Sequence, residues 1–410
     1  MSIKILTEQI LNKLPKVGAW QHKFILHLFP LWLVIRGRYN FMNLARHGDY
    51  IEDTYRNNFA RSFDFLTFNQ HLVEQTLSSD RILAFDPVFI PKSGKHTHGV
   101  NYFYSSCAGR EKWGMEFSGI AAIDLSDKTA LHLLALQTQF HKANEKEQSE
   151  ERISLLEYYA QHLISRAEQL QQISKIVVVD AFFSRSTFIE PMIEAGFTVV
   201  SRLRKDASMR YLYHGPRRKG RGRPKQYDGR IDPLNLRADQ FTACAKAEDD
   251  SWIAYEAIVN IKAWKRNVRL VVEHTLDEHG QVKSYKLYIC TDTQQIGGDV
   301  KHAYNTRFQI EFLYRDGKQH AGLNHCQARA EEKLFFHLNT ALTCVSLAKV
   351  AYHLSDENNA EKPFSMTDIK STLTNEFLFD RIISMFGFSP NSTKIKAVRN
   401  RFRQFGKIAA

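Results

Sequence analysis

The sequence predicts a mixed α/β protein with helical regions at both ends, and three observations carry that prediction. Apolar residues recur at helical spacing through residues 1–76, at strand spacing from about residue 81, and at helical spacing again beyond residue 330. The chain has 410 residues, enough for two or three domains with at least one large core. At 43% hydrophobic and 24% charged, it has the composition of an ordered globular protein and not of a disordered one.

Residues 1–76 read as a helical DNA-binding domain. Within them Phe41–Gly48, followed by Ile51–Arg61, resembles a helix-turn-helix in which Gly48 ends the first helix. The second helix would carry Thr54, Arg56, Asn57, Asn58 and Arg61, side chains able to reach base edges or phosphates. A plain helical hairpin fits the same pattern equally well. The apolar run Phe24–Ile35 contains His27 and Pro30 and is far shorter than the roughly twenty residues a membrane span needs. It is expected as a buried helix pair, with no membrane partner. Polar Thr7-Glu8-Gln9 and Asn12-Lys13 interrupt the early apolar run, so no signal peptide is expected.

Residues 77–204 read as the first part of a core. Ile82–Ile90 is a short apolar run with Asp86 at its middle, and Met115–Asp124 and Thr129–Thr138 are two more strands joined by a tight turn. Residues 150–173 have the pattern of one amphipathic helix. Lys175–Asp180 reads as a buried parallel strand, Phe188–Ala195 as a helix stopped by Gly196, and Phe197–Arg204 as another strand. Three strands, helix, strand, helix, strand is the order of an RNase H-like core. Residues 205–296 read as a basic β-rich insertion with strands such as Trp252–Ile261, Val268–Glu273 and Tyr285–Cys290. Residues 297–330 resume the core with a helix, and 331–410 form a helical, increasingly basic C-terminal region.

The charge is concentrated. The formal net charge is +12, yet residues 201–230 alone hold eleven Lys/Arg against Asp206 and Asp228, and residues 381–410 hold seven with no acid. Two basic patches on a nearly neutral body are the footprint of a nucleic-acid partner. In the first patch Arg217, Arg218, Lys219, Arg221, Arg223 and Lys225 form a Gly/Pro-containing loop. Such a loop either grips phosphates or inserts Arg223 into a narrow minor groove. Five cysteines, an odd number without a C-x-x-C pair, exclude a zinc ribbon and point to a reducing cytoplasm. His96 and His98 flank the loop after Asp86, in position for phosphate or solvent more than for metal.

The most informative segment is Tyr304–Lys318. On a continuous helix, Arg307, Glu311 and Lys318 fall at about 300°, 340° and 320° from Tyr304, so all four share one narrow stripe. A hydroxyl, a guanidinium, a carboxylate and an ammonium in one line suit a phosphate-rich, metal-bearing substrate. Gly317 is expected to weaken the helix by about 1 kcal/mol relative to Ala, which puts its end near Lys318. Asp86 inside an apolar strand and Asp180 at the end of one are expensive unless paired or metal-bound. With Glu311 they make three carboxylates able to hold two divalent cations for phosphoryl transfer. Each Asp alone fits a simple cap or turn, and Asp124 competes with them, although Ser126 and Asp127 after it favour turn chemistry.

At this point the chain resembles a bacterial insertion-sequence transposase of the DDE superfamily, in the branch with a Y-x2-R-x3-E-x6-K signature. Tyr304, Arg307, Glu311 and Lys318 match its four positions. Asp180-Ala-Phe-Phe-Ser is similar to the second-acid region, and Asp86 with Ile90-Pro-Lys-Ser-Gly-Lys-His to the first. The resemblance covers about residues 80–330. It implies cut-and-paste transposition with Asp86, Asp180 and Glu311 as catalytic metal ligands for two Mg²⁺ or Mn²⁺ ions. It implies that Arg307 and Lys318 hold phosphates and that Tyr304 hydrogen-bonds one near the scissile bond. The partners would be double-stranded DNA, as terminal inverted repeats and target, and a second copy of the chain in a homodimer on that DNA. Trp264, in Lys262–Arg266, either stacks on a flipped base or is a half-buried strand residue. An endonuclease without strand transfer and a transposase-derived DNA-binding protein remain the alternatives.

Overall fold

The change of apolar period near residue 81 marks the passage from helices to sheet in a computed structural model, which describes residues 2–105, 107–139, 153–216, 223–354, 364–389 and 392–407. Helices α1 (Ile3–Leu11), α2 (Ala19–Val34), α3 (Phe41–His47), α4 (Glu52–Asn58) and α5 (Phe65–Thr76) come first. Strands β1 (Arg81–Pro91), β2 (Asn101–Ser105), β3 (Arg110–Asp124) and β4 (Thr129–Gln137) follow. Next are α6 (Leu155–Ile164), α7 (Ala167–Ile173), β5 (Ile176–Val178), α8 (Ser186–Glu194) and β6 (Thr198–Arg202). The second half of the sheet is β7 (Met209–Leu212), β8 (Tyr227–Arg230), β9 (Thr242–Lys246), β10 (Trp252–Ile261), β11 (Arg266–Leu276) and β12 (Val282–Cys290). The chain then returns to helices α9 (Gly297–Thr306), α10 (Gln309–His320), α11 (Glu331–His353), α12 (Met366–Met385) and α13 (Thr393–Arg403).

β3 lies between β1 and β4 and is antiparallel to both, while β1, β5 and β6 run parallel side by side. The right-hand neighbour of β6 is β12, paired antiparallel from Tyr288↔Arg202 to Cys290↔Val200. The β-rich segment therefore does not hang from the core as a separate body. It continues the same sheet through β11, β10, β7 and β8. Two helix expectations are corrected. The amphipathic stretch before β5 is two helices, because Arg166 leaves helical backbone at φ −131° between α6 and α7. The Phe24–Ile35 run is part of one helix, α2, which carries Pro30 within it instead of breaking there.

The buried helix α11 organises the packing. It is the one described helix long and apolar enough to cross a membrane, yet 83% of its apolar window is buried inside the protein. It packs on β4, α5, α1, α2 and α10. Asn339, fully buried at its middle, shows how a helix satisfies a sheet edge. Its Nδ2 donates to the Ala135 carbonyl at 2.9 Å, and its Oδ1 accepts from the Ala135 amide at 2.8 Å. The β3–β4 register slips at Ile120/Ala121, and the amide and carbonyl of Ala135 find Asn339 on the outer edge of β4. Asn339→Ala is expected to lower unfolding stability by about 2–4 kcal/mol, since it strands a buried donor and a buried acceptor. Urea unfolding measures this, and a loss within about 0.5 kcal/mol, as at an ordinary surface site, would contradict it.

Candidate active site

Asp86 lies at the middle of β1, level with Gly119 of β3. On its other side the parallel register runs Leu83↔Val177 and Ala84↔Val178, so two residues further on Asp180 comes level with Asp86. Asp180 follows the short β5 and caps a one-turn 3-10 helix, Ala181–Phe183, accepting from the Phe182 amide at 3.3 Å. Its backbone is fixed by the buried Ser201, whose hydroxyl donates to the Asp180 carbonyl at 2.9 Å.

The third acid arrives on α10. The sequence predicts a continuous helix from Tyr304 to Lys318, and this is corrected: α9 stops at Thr306 and α10 starts at Gln309. The Thr306 hydroxyl donates to the Ala303 carbonyl at 2.9 Å, the acceptor the Arg307 amide would use in an uninterrupted helix. That amide turns to Tyr304 instead, and Ile310 and Glu311 bond back three residues to Arg307 and Phe308. Gly317 does not end α10, which runs on to His320. A Cβ there would meet Leu342 at 3.0 Å and Leu323 at 3.3 Å, so glycine lets α10 pack tightly against α11.

Despite the break, the signature side chains stay together. Arg307 is only 13% exposed; its guanidinium lies 2.9 Å from Glu311 and 3.7 Å from Asp86. It also sits 5.9 Å from the ring centroid of Tyr304, which packs against Tyr288 of β12. Burial is the largest influence on the Asp86 carboxyl and raises it; Arg307 opposes, and Glu311, Asp180 and Glu116 raise it further, to about 7. Asp86 therefore feels both other acids. Burial pulls Lys318 below its ordinary value, while Cys107 and Asp86 act to raise it. Among the described residues no three His, Cys, Asp or Glu side chains close to metal-ligating geometry. The donors are nonetheless all carboxylate oxygens, the set a hard divalent cation prefers. A carboxyl whose charged form is disfavoured by burial and by neighbouring acids is one that a cation would stabilise in that form.

Sequence reading missed the residue that joins these parts. Tyr314, three positions after Glu311 on α10 and 5% exposed, donates its hydroxyl to the Asp86 carbonyl at 2.9 Å. It fits because Gly119 lies beneath it; a Cβ on Gly119 would stand 2.1 Å from the Tyr314 oxygen. The only trace in the sequence is a glycine inside an apolar strand, the ordinary mark of a close approach.

Other expected site residues are distributed differently. Trp264 is buried, 6% exposed, in the β10–β11 turn, where it lines a cavity of about 530 Å³ with Phe182, Ser184 and Arg185. It is not a strand residue. Arg217, Arg218, Lys219 and Arg221 lie outside the described residues. Of their neighbours, Arg223 donates to Gln226, and Lys225 pairs with Asp228 and lies over Tyr213. In the C-terminal patch Arg399 pairs with Asp380 and Arg403 with Glu376, so part of that charge is neutralised locally. In the helical hairpin Asn58 is buried, accepting from Trp20, and cannot reach DNA as the helix-turn-helix reading expects; Arg56 pairs with Glu52, while Asn57 and Arg61 are exposed. His96 and His98 are exposed, and His98 pairs with Glu331 at 3.3 Å. Asp124 is a cap: burial raises it, but the amides of Asp127, Ser78 and Ser126 hold it below its ordinary value.

Asp86 of β1, Asp180 just past β5 and Glu311 of α10 lie with the half-buried Arg307 and Lys318 on one side of the sheet, groups of the kinds a polyanionic substrate and its counter-cations engage. Residues 62–264 match the family model described as DDE superfamily endonuclease, which supports a DDE-type transposase family and a nuclease with DNA as substrate. That superfamily generally uses divalent metal ions. The match includes Asp86 and Asp180 and ends before Glu311. No curated protein matches the chain.

Two outcomes follow from this geometry. Gly119→Ala is expected to destabilise by about 1–3 kcal/mol through overpacking, and Tyr314→Phe in the same chain to recover part of the loss in thermal unfolding; equal losses would remove Tyr314 from the contact. Asp86 is raised from its ordinary 3.8 to about 7, so the folded state binds the extra proton and stability falls as pH rises between those values. Asp86→Asn is expected to remove that slope in chelator-containing buffer; parallel pH profiles for the two proteins would refute the shift.

Proposed function

We propose that the protein is a DNA transposase that excises and inserts a mobile element by metal-dependent cleavage and strand transfer. The observation that carries this reading is that Arg307 lies between Glu311 and Asp86, with Asp180 level with Asp86 on the adjacent chain segment after β5. The order β4-β3-β1-β5-β6, with the first three antiparallel and the last three parallel, supports an RNase H-like core. The signature Tyr304, Arg307, Glu311 and Lys318 supports the insertion-sequence branch.

In this reading Asp86, Asp180 and Glu311 hold two Mg²⁺ or Mn²⁺ ions. Ions held there would supply Lewis acidity for attack by a water or a 3′-hydroxyl on the scissile phosphate and for departure of the leaving oxygen. The chain's own residues do the rest. Arg307 exchanges part of its pairing with Glu311 and Asp86 for a DNA phosphate, to which its fork can bond bidentately. Lys318 neutralises a second phosphate as a point charge, and Tyr304 donates a hydrogen bond near the scissile position. Arg202 and Lys205 line an open cleft of about 550 Å³ beside Ala181, a path by which the DNA backbone approaches Asp180. The basic loop around Arg223 and Lys225 grips backbone further out, and Trp264 borders the cavity that would receive a flipped base. The helical ends, residues 1–76 and 331–410, serve DNA binding and pairing of two copies on DNA in the cytoplasm.

The test is a reaction on a plasmid carrying the open reading frame with its native flanking DNA, in Mg²⁺ or Mn²⁺. Wild type is expected to excise the element and join it to a second plasmid. Asp180→Asn and Glu311→Gln are expected to bind the ends without cutting them. Cleavage without joined products would replace the transposase by an endonuclease, and substantial cutting by Glu311→Gln would overturn the site.

A further inference from the structure

We propose that the β2–β3 ribbon holds one unpaired nucleobase of the DNA bound at the site, in a slot between Tyr102 and Tyr104; this rests on the reading of the protein as a DNA-cutting enzyme. β3 pairs with β1 only from Gly114 to Asp124, whereas β2 pairs with β3 from Arg110 to Gly114, so the ribbon runs on past the end of β1. Its base is fixed. The Lys92 ammonium donates to the Cys326 carbonyl, the His98 amide donates to the Arg329 carbonyl at 2.9 Å, and Gln137 donates to the His98 carbonyl at 2.7 Å.

On this anchored ribbon the aromatic residues are turned outward. Phe103 is buried, while Tyr102 and Tyr104 on either side of it are 61% and 63% exposed. Two large rings left in water on one face of a short ribbon are an uncompensated apolar surface unless something covers them. Alternate residues of a strand share a face about 6.8 Å apart, twice the roughly 3.4 Å separation of stacked bases. One base fits between two such rings. Trp113, directly opposite Tyr102 with ring centroids 5.4 Å apart, closes one side of the slot.

Charge and position select the occupant. Between residues 92 and 113 the only acid is Glu111, opposite Tyr104, against Lys92, Lys95, Arg110 and Lys112. Such a ribbon attracts a polyanion, and it would repel the same ribbon of a second copy in a self-complementary contact. β3 is level with Asp86 at Gly119 and belongs to the ribbon from Gly114 back to Arg110, so the ribbon is the direct extension of the strand beside the site. A base inside a duplex is already stacked on both faces. Only an unpaired one can enter the slot.

The experiment uses the full chain carrying Glu311→Gln, a DNA duplex with a short single-stranded end containing 2-aminopurine, and the same duplex blunt. The expected result is tighter binding of the single-stranded end with quenching of 2-aminopurine. Tyr102→Ala and Tyr104→Ala should each weaken that binding about tenfold and remove the quenching, and the Phe variants should retain both. If the Ala variants bind both DNAs as well as the parent, the slot is wrong while the DNA-cutting reading stands. The slot is equally wrong if they weaken both DNAs alike, or if they change only the oligomeric mass. If the parent binds neither DNA, both readings fall.

Discussion

The hydrogen bond from the Tyr314 hydroxyl to the Asp86 carbonyl is the contact on which the candidate site depends. It sets helix α10 against strand β1 at one height, and that height decides whether Glu311 reaches Asp86 at all. One turn of slippage would carry Glu311 about 5.4 Å along the helix axis and out of reach. Gly119 permits the contact because no other residue leaves room for the tyrosine oxygen. The far end of α10 is held just as firmly, by groups from distant parts of the chain. The Tyr39 hydroxyl and the Lys370 ammonium bond the His320 carbonyl, and the Trp32 indole bonds the Ala321 carbonyl. These are the carbonyls a helix end leaves without partners. Residues of the N-terminal helices and of α12 thus serve as the cap that fixes the helix carrying the third acid.

With the backbone fixed, the side chains are left in electrostatic tension. Asp86 is half-buried and has the carboxylates of Glu311, Asp180 and Glu116 in range, which is unfavourable for its charge. Arg307 relieves part of this by lying between Asp86 and Glu311. Its buried Nε has no hydrogen-bond partner, so its own pairing is incomplete. An arrangement of this kind is a poor choice for stability, since a buried ion pair roughly offsets its own desolvation. It is a good choice for binding, because both a cation among the acids and a phosphate on the arginine would be better partners than those the protein supplies.

Much of this was legible in the sequence because it is written in local pattern. The apolar run around Asp86, the run ending at Asp180 and the strand Trp252–Ile261 all appear where their periodicity put them. Arg307 and Glu311 meet because they are four residues apart near the start of a helical turn. What stayed hidden is what depends on distant partners. At the break between α9 and α10 the Thr306 hydroxyl bonds the Ala303 carbonyl while the Arg307 amide turns to Tyr304, and no apolar period records it. Asn58 looked like a base-reading side chain because its type suits that task, yet Trp20 of α2, outside the hairpin, claims it. The basic patches were visible as charge, but the pairing of Arg399 with Asp380 and of Lys225 with Asp228 was not.

The continuity of the sheet has the largest consequence for how the site is assembled. Because β12 pairs directly with β6, the β-rich segment is joined to the strand next to Asp180 by backbone hydrogen bonds and not by a linker. The chain leaves β12 and enters α9, which packs against β6, β11 and β12 before the turn at Arg307. Lys301 of α9 pairs with the buried Glu273 of β11 at 3.1 Å and lies over the ring of Trp252. This segment therefore fixes one end of α9, as Tyr314 and the caps fix α10. The turn between the two helices is held from both sides, and the side chain at that turn is Arg307. Its position between the acids is thus imposed by two independently anchored helices, one braced by the β-rich segment and the other by β1.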